Sequence, residues 1–179
     1  MHPMVKEVLI TEEEIVARTK EIGAQITEDY KDNEKCPLFV ALLKGSVPFL
    51  AELVKHVDLN LEFDFMDVSS YEGTESTRDI KILKDLDRSI IGMDILIVED
   101  IVDTGRTLKS VIKLLENKGA KSVKVVSLLD KPDRREAEIV ADYLGFSIPN
   151  AFVVGYGLDF NQKLRQLPYI GIMKEEYYL

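Results

Sequence analysis

The chain has 179 residues, 46% of them hydrophobic, enough to bury a substantial core in one globular unit. Its 23 basic and 32 acidic residues give a net charge of -9, which disfavours general nucleic-acid binding. Small phosphorylated ligands stay compatible with it, because backbone amides and a divalent cation hold phosphates independently of net charge. The single cysteine, Cys36, cannot close an internal disulfide, and no apolar run approaches the roughly 20 residues of a bilayer span. Met1 to Thr11 lacks the basic start and apolar core of a secretion signal. The expectation is a protein with no membrane association in a reducing, cytoplasmic setting.

Val5 to Ile10 predicts a short strand, and Thr11-Glu12-Glu13-Glu14 has the capping-box pattern that opens a helix. Ile15, Ile22, Ile26 and Tyr30 recur at helical spacing, so that helix is expected to run to near Asn33 with a charged outer face. Leu38 to Leu43 predicts a buried strand. After Lys44-Gly45-Ser46, Val47 to His56 predicts a helix, with Pro48 tolerated in its first turn. Leu61 to Ser69 predicts another strand, Ser70 to Arg78 a loop, and Ile80 to Leu83 a returning strand.

Asp94 to Val98 is a compact aliphatic strand running into an acidic, glycine-containing turn, with a helix expected from Thr107 to Lys118 and Gly119 where its C-terminal cap belongs. Val123 to Leu129 supplies the next strand and completes a β-α-β pattern, which implies a parallel sheet. Ile139 to Tyr143, Ala151 to Val154 and Tyr169 to Met173 predict further short strands, partly a small flap beside the main sheet. The fold class expected is α/β: a doubly wound, mainly parallel sheet flanked by helices. No internal repeat or second-domain linker interrupts it.

The chemistry concentrates in Ile97-Val98-Glu99-Asp100-Ile101-Val102-Asp103-Thr104-Gly105-Arg106-Thr107-Leu108, where an aliphatic strand ends in acids and opens through glycine into a helix. Gly105 permits a tight turn, and the amides and hydroxyls from Asp103 to Thr107 can surround a phosphate at the positive helix terminus. Glu99 and Asp100 would repel that phosphate directly, yet suit a ribose diol or the magnesium accompanying a diphosphate. The competing reading is an acidic turn in which Asp103 only caps the helix and the other two acids face solvent. The chain lacks a G-x-x-x-x-G-K-[ST] loop, and Gly155-Tyr156-Gly157 has Phe160 in place of the third glycine of a dinucleotide fingerprint.

Residues 99 to 107 resemble throughout the phosphoribosyl pyrophosphate signature of the type I phosphoribosyltransferases. The segments Lys131-Pro132-Asp133-Arg134-Arg135 and Phe152 to Asn161, with Arg165, are similar to the purine and pyrophosphate segments of hypoxanthine-guanine phosphoribosyltransferases. The resemblance runs almost end to end. It implies one phosphoribosyltransferase domain over residues 1–179, with a hood formed from N- and C-terminal segments, acting in purine salvage. The activity implied is transfer of the phosphoribosyl group to hypoxanthine or guanine, with IMP or GMP and pyrophosphate as products.

The same resemblance implies residue roles. Glu99 and Asp100 hold the ribose hydroxyls and order Mg2+, and Asp103, Thr104, Gly105, Arg106 and Thr107 bind the 5'-phosphate. Asp103 also serves as general base toward the purine ring. Lys44 and Gly45 form the pyrophosphate loop, and Ser70 and Tyr71 start a lid. Lys131 donates to the purine 6-oxo group; adenine offers a donor there and leaves the lysine unpaired. Phe152 stacks on the base and the Val153 carbonyl meets its edge. Asp159 serves a second magnesium, and Arg165 pairs with pyrophosphate. Phe160 stands where many relatives have tyrosine. A homodimer or homotetramer is implied as well. Two rival functions remain: a phosphoribosyl pyrophosphate-binding RNA regulator, for which the net charge is unsuited, and a xanthine-preferring enzyme.

Overall fold

The computed structural model describes residues 1–70 and 80–179. Strand β1 (Val5–Ile10) leads into helix α1 (Glu12–Tyr30), whose first turn is closed by the complete Thr11–Glu14 capping box. Helix α1 buries Ile15, Thr19, Ile22, Ile26 and Tyr30 and ends a turn before the expected Asn33. Then follow β2 (Leu38–Leu42), α2 (Val47–Leu53) with a 3₁₀ turn over Val54–His56, β3 (Glu62–Ser70) and β4 (Ile80–Lys84). Next come β5 (Asp94–Val102), α3 (Arg106–Asn117), β6 (Ser122–Asp130), β7 (Tyr143–Ser147), β8 (Val153–Val154) and β9 (Ile170–Met173).

Six strands form the main sheet in the order β4-β3-β2-β5-β6-β7. All its pairs are parallel except β3–β4. Fully buried β2 and the apolar run of β5 form its centre, as near-continuous aliphatic strands do when helices cover both faces. On one face α1 and α2 pack with Phe39, Leu96 and Val126; on the other, Leu108, Val111 and Leu115 of α3 meet Val40, Ile95 and Ile97. Each fully buried Leu or Ile contributes roughly 1.5–3 kcal/mol of hydrophobic stabilisation. This is the doubly wound, mainly parallel α/β architecture expected. A second, antiparallel sheet, β1-β9-β8, joins the two ends of the chain around a small core of Val5, Val154, Leu164 and Met173.

Two expectations need correction. The strand expected over Ile139–Tyr143 begins only at Tyr143, because residues 139–142 are engaged elsewhere: Arg135 Nη1 donates to the Ile139 carbonyl at 2.7 Å, and Asp142 exchanges hydrogen bonds with the Val125 backbone. Ser70, assigned to a loop, is instead the last residue of β3, paired with Ile80. Tyr71 and the remaining expected loop residues to Arg78 lie outside the described residues.

Candidate active site

The strand order reverses direction between β2 and β5, and open α/β sheets place ligands in the crevice beyond the carboxyl ends of strands at such a switch point. Here the β2–α2 turn carrying Lys44 and Gly45 faces the end of β5, and the Leu43–Lys44 peptide is cis. Lys44 is exposed and Gly45 buried. A Cβ on Gly45 would fall 1.7 Å from Asp100 Oδ2, so only glycine lets the turn lie against that carboxylate.

Strand β5 extends beyond the expected Val98 to Val102, which places Glu99 and Asp100 within its last turns of pleat at the sheet edge. Both retain partial exposure while packed closely by protein. Burial, followed by repulsion from Asp100, holds the Glu99 carboxyl well above the usual carboxylate range. Burial likewise pushes Asp100 up to about 6, although the Ile101 amide donates to it at 2.8 Å and the Arg165 guanidinium draws it down. Two adjacent carboxylates in this condition are relieved by a cation.

The turn beyond β5 reaches α3 through Gly105, the N-terminal cap residue, whose φ of 78° lies in the left-handed region. No side chain caps the helix, so the competing reading of Asp103 as a cap is not realised. Instead Asp103 Oδ1 is shielded from solvent without a hydrogen-bond partner; Arg134 Nε lies 3.2 Å away without the alignment of a bond. Thr104 and Thr107 are half-buried around the turn, while the Arg106 side chain turns outward to pair with Glu136.

A single segment braces this turn from behind. The Lys131 amide donates to the Val102 carbonyl at 2.9 Å, and the Glu136 and Ala137 amides both donate to the Thr104 carbonyl. Arg135 links the Val102 carbonyl, the Asp130 carboxylate and the Ile139 carbonyl. Lys131 is buried, its Nζ donating to the Ala151 carbonyl at 2.7 Å. Burial pulls its ammonium below its ordinary range, an effect the Asp103 carboxylate opposes. Lys131, Arg134, Ala151, Phe152, Met173 and Tyr178 are among the lining of a cavity of about 400 Å³ between β6 and the smaller sheet. Val153, next to Phe152, opens β8.

The last part of the site is the 155–165 turn. Among the described residues, the non-glycine positions with positive φ are Tyr156, Asn161, Gln162 and Leu164, all in this stretch; such strain gathers at functional sites. Arg165 donates to the Gly157 carbonyl at 2.7 Å and pairs with Asp159 at 2.9 Å. Asp159 is thus brought to Arg165, but among the described residues no three His, Cys, Asp or Glu side chains converge as a metal cage. Sequence reasoning quoted Arg134 and Arg135 only as neighbours of Lys131 and missed Tyr178 altogether. The adjacent basic pair was visible, whereas no spacing rule announces a brace or a ring arriving from the far end of the chain.

A family model described as the phosphoribosyl transferase domain matches residues 7–161, and the chain belongs to that family. The hypoxanthine-guanine phosphoribosyltransferase of Bacillus subtilis is 53% identical over 97% of this chain and 96% of its own length. The protein of the same name from Lactococcus lactis is 55% identical over 97% of this chain and 94% of its own. A crystal structure of a hypoxanthine phosphoribosyltransferase from Staphylococcus aureus, 54% identical, superposes with a TM-score of 0.93 over 100% of this chain and 97% of that one.

Proposed function

We propose that the chain is a purine-salvage enzyme that transfers the 5-phosphoribosyl group of phosphoribosyl pyrophosphate to N9 of hypoxanthine or guanine, giving IMP or GMP and pyrophosphate. The observation that carries this reading is the backbone bond between Val102 and Lys131, which holds the buried lysine and the Asp103 carboxylate, whose Oδ1 has no hydrogen bond, at one turn beside the proposed phosphate cup. Relatives more than 50% identical over nearly the whole chain carry the matching name.

In the reaction, the N9–C1' bond forms as the bond from C1' to the pyrophosphate oxygen breaks, and pyrophosphate leaves with the electron pair. The Asp103 carboxylate, whose side chain is 36% exposed although its Oδ1 lies against Arg134 Nε, accepts the purine ring proton. Lys131 keeps donors beyond the one spent on Ala151 and offers them to the 6-oxo group. The amides and hydroxyls from Asp103 to Thr107 hold the 5'-phosphate at the start of α3. Phe152 supplies a stacking face for the base and the Val153 carbonyl an acceptor for its edge. Ser70, the last residue of β3, and Tyr71, outside the described residues, are assigned to the lid over pyrophosphate by the family resemblance alone. Lys44, Gly45 and Arg165 face the leaving group, whose developing charge the guanidinium stabilises.

Glu99 and Asp100 fit Mg2+: two adjacent carboxylates raised by burial, Glu99 further by the charge of Asp100, match a cation that takes one or two protein carboxylates and completes its shell with substrate oxygens and water. Asp159 offers one more carboxylate for a second ion. Bound there, magnesium supplies charge neutralisation of the diphosphate. Association as a homodimer or homotetramer is supported by the Phe63–Phe65 ring pair on β3, with Phe63 50% exposed, and by Leu83 on the adjoining strand β4, 56% exposed; sedimentation velocity measures it. A cytoplasmic location is in keeping with the unpaired Cys36 and with the finding that, among the described residues, no helix is long and apolar enough to cross a membrane.

The deciding experiment follows nucleotide formation from phosphoribosyl pyrophosphate and Mg2+ with hypoxanthine, guanine, xanthine and adenine in parallel. Turnover of the first two and not adenine is expected. Preference for xanthine overturns the base assignment, and no turnover of any base despite phosphoribosyl pyrophosphate binding points to the regulatory alternative.

A further inference from the structure

We propose that Tyr178 is a positioning residue for the purine, acting through Phe152; the proposal rests on the salvage reading. The two rings are stacked, with centroids 4.8 Å apart and planes 19° from parallel, while Phe160 meets Phe152 edge-on at 5.9 Å and 83°. One face of Phe152 is therefore covered by protein, and an incoming base takes the opposite face of a ring already held in place.

The support is fixed by backbone rather than by chance proximity. The Met173 amide donates to the Phe152 carbonyl at 2.8 Å, the Lys174 amide to the Met4 carbonyl at 3.0 Å, and the 3₁₀ turn Glu175–Tyr177 then delivers Tyr178 through a bond from its amide to Glu175. Tyr178 packs with the Val5, Val154, Leu164 and Met173 cluster and lines the same cavity as Lys131. Phe152 is 36% exposed even so. Without Tyr178 it would present two bare faces and recover rotamer freedom that base binding must then remove. The C-terminal turn, remote in sequence from every motif of the site, thereby prepares the stacking surface.

The test measures KM for hypoxanthine and for phosphoribosyl pyrophosphate, with kcat, in the wild type and in Tyr178→Ala, Tyr178→Leu and Tyr178→Phe. Loss of the stacked ring in the Ala and Leu variants is expected to raise the hypoxanthine KM by roughly five- to tenfold. The phosphoribosyl pyrophosphate KM stays within about twofold, and Tyr178→Phe restores wild-type behaviour. Leu keeps apolar packing in the small core, so it decides the matter where Ala melts below the assay temperature. An unchanged hypoxanthine KM, a parallel rise in both KM values, or a Phe variant as impaired as Leu overturns the assignment. Wild-type protein that turns over no 6-oxopurine overturns the salvage reading itself, so the two failures are distinguishable.

Discussion

Asp64 and Asp100 lie on the strands that flank β2, and the protein treats them in opposite ways. Burial pushes the Asp64 carboxyl upward, but amides of Asp87 and Phe65 and the Lys84 ammonium outweigh it and hold the group below its ordinary range. Its cation is equally well served, with Lys84 Nζ meeting four oxygens between 2.9 and 3.4 Å. Around Asp100 the balance is reversed: it and Glu99 are raised together, Asp103 Oδ1 has Arg134 nearby but no hydrogen bond, and Lys131 Nζ has one oxygen. A network whose groups all answer one another stabilises the fold. A set left short of partners is poised for a ligand and costs stability until that ligand arrives.

The largest effect that would break this contrast is catalytic. Asp103→Asn, measured as hypoxanthine kcat/KM by steady-state kinetics, is expected to lose about 10²- to 10⁴-fold while the urea midpoint stays put. A large stability loss instead would place Asp103 with Asp64. Asp64→Ala should behave the other way, costing about 2 kcal/mol in urea unfolding at pH 7 by leaving the Phe65 and Asp87 amides unanswered and removing one of the four oxygens around Lys84, with kcat/KM within about twofold. Because the folded-state carboxyl of Asp64 is depressed, its stabilisation is present above the unfolded pKa of about 3.9. It fades as pH falls through the lower folded value, so the cost of the alanine must shrink in acid. Lys131→Ala is expected to lower kcat/KM for hypoxanthine by roughly 10- to 100-fold, through an unpaired 6-oxo group, with little change in the phosphoribosyl pyrophosphate KM.

The central sheet was legible because its signals are local: Leu38 to Leu42 is unbroken apolar sequence, Thr11 to Glu14 is a complete cap, and Gly105 stands where the turn needs a left-handed residue. The acids at the end of β5 were legible for the same reason, since one strand and its turn carry them. Ile139 to Tyr143 misled because only Tyr143 pairs in the sheet, while Ile139 and Ala141 pack against the core that holds Val102 and Leu108 and Val140 is exposed, a tertiary choice that alternation alone does not encode. Arg135 and Tyr178 escaped for a further reason. A guanidinium braced against three oxygens and a ring stacked across 26 residues of chain are contacts between segments, and hydrophobic period says nothing about them.

The smallest effect is the sharpest test of the contrast, because its sign is opposite to that at Asp64. For an acid raised in the folded state, the unfolded chain loses its proton first. Folding is therefore penalised progressively as pH rises from about 4 toward the folded value of about 6, and the penalty is full above it. Asp100→Asn removes that penalty. In chelator, thermal melts at pH 7.5 should show the variant more stable than wild type by on the order of 1 kcal/mol, with the gain gone by about pH 4. Magnesium with pyrophosphate should reverse the ranking, since wild type gains a ligand that its ionised carboxylates help to hold and the asparagine holds it less well. A variant less stable than wild type at pH 7.5 without ligand would mean that Asp100, like Asp64, is an acid the fold depends on.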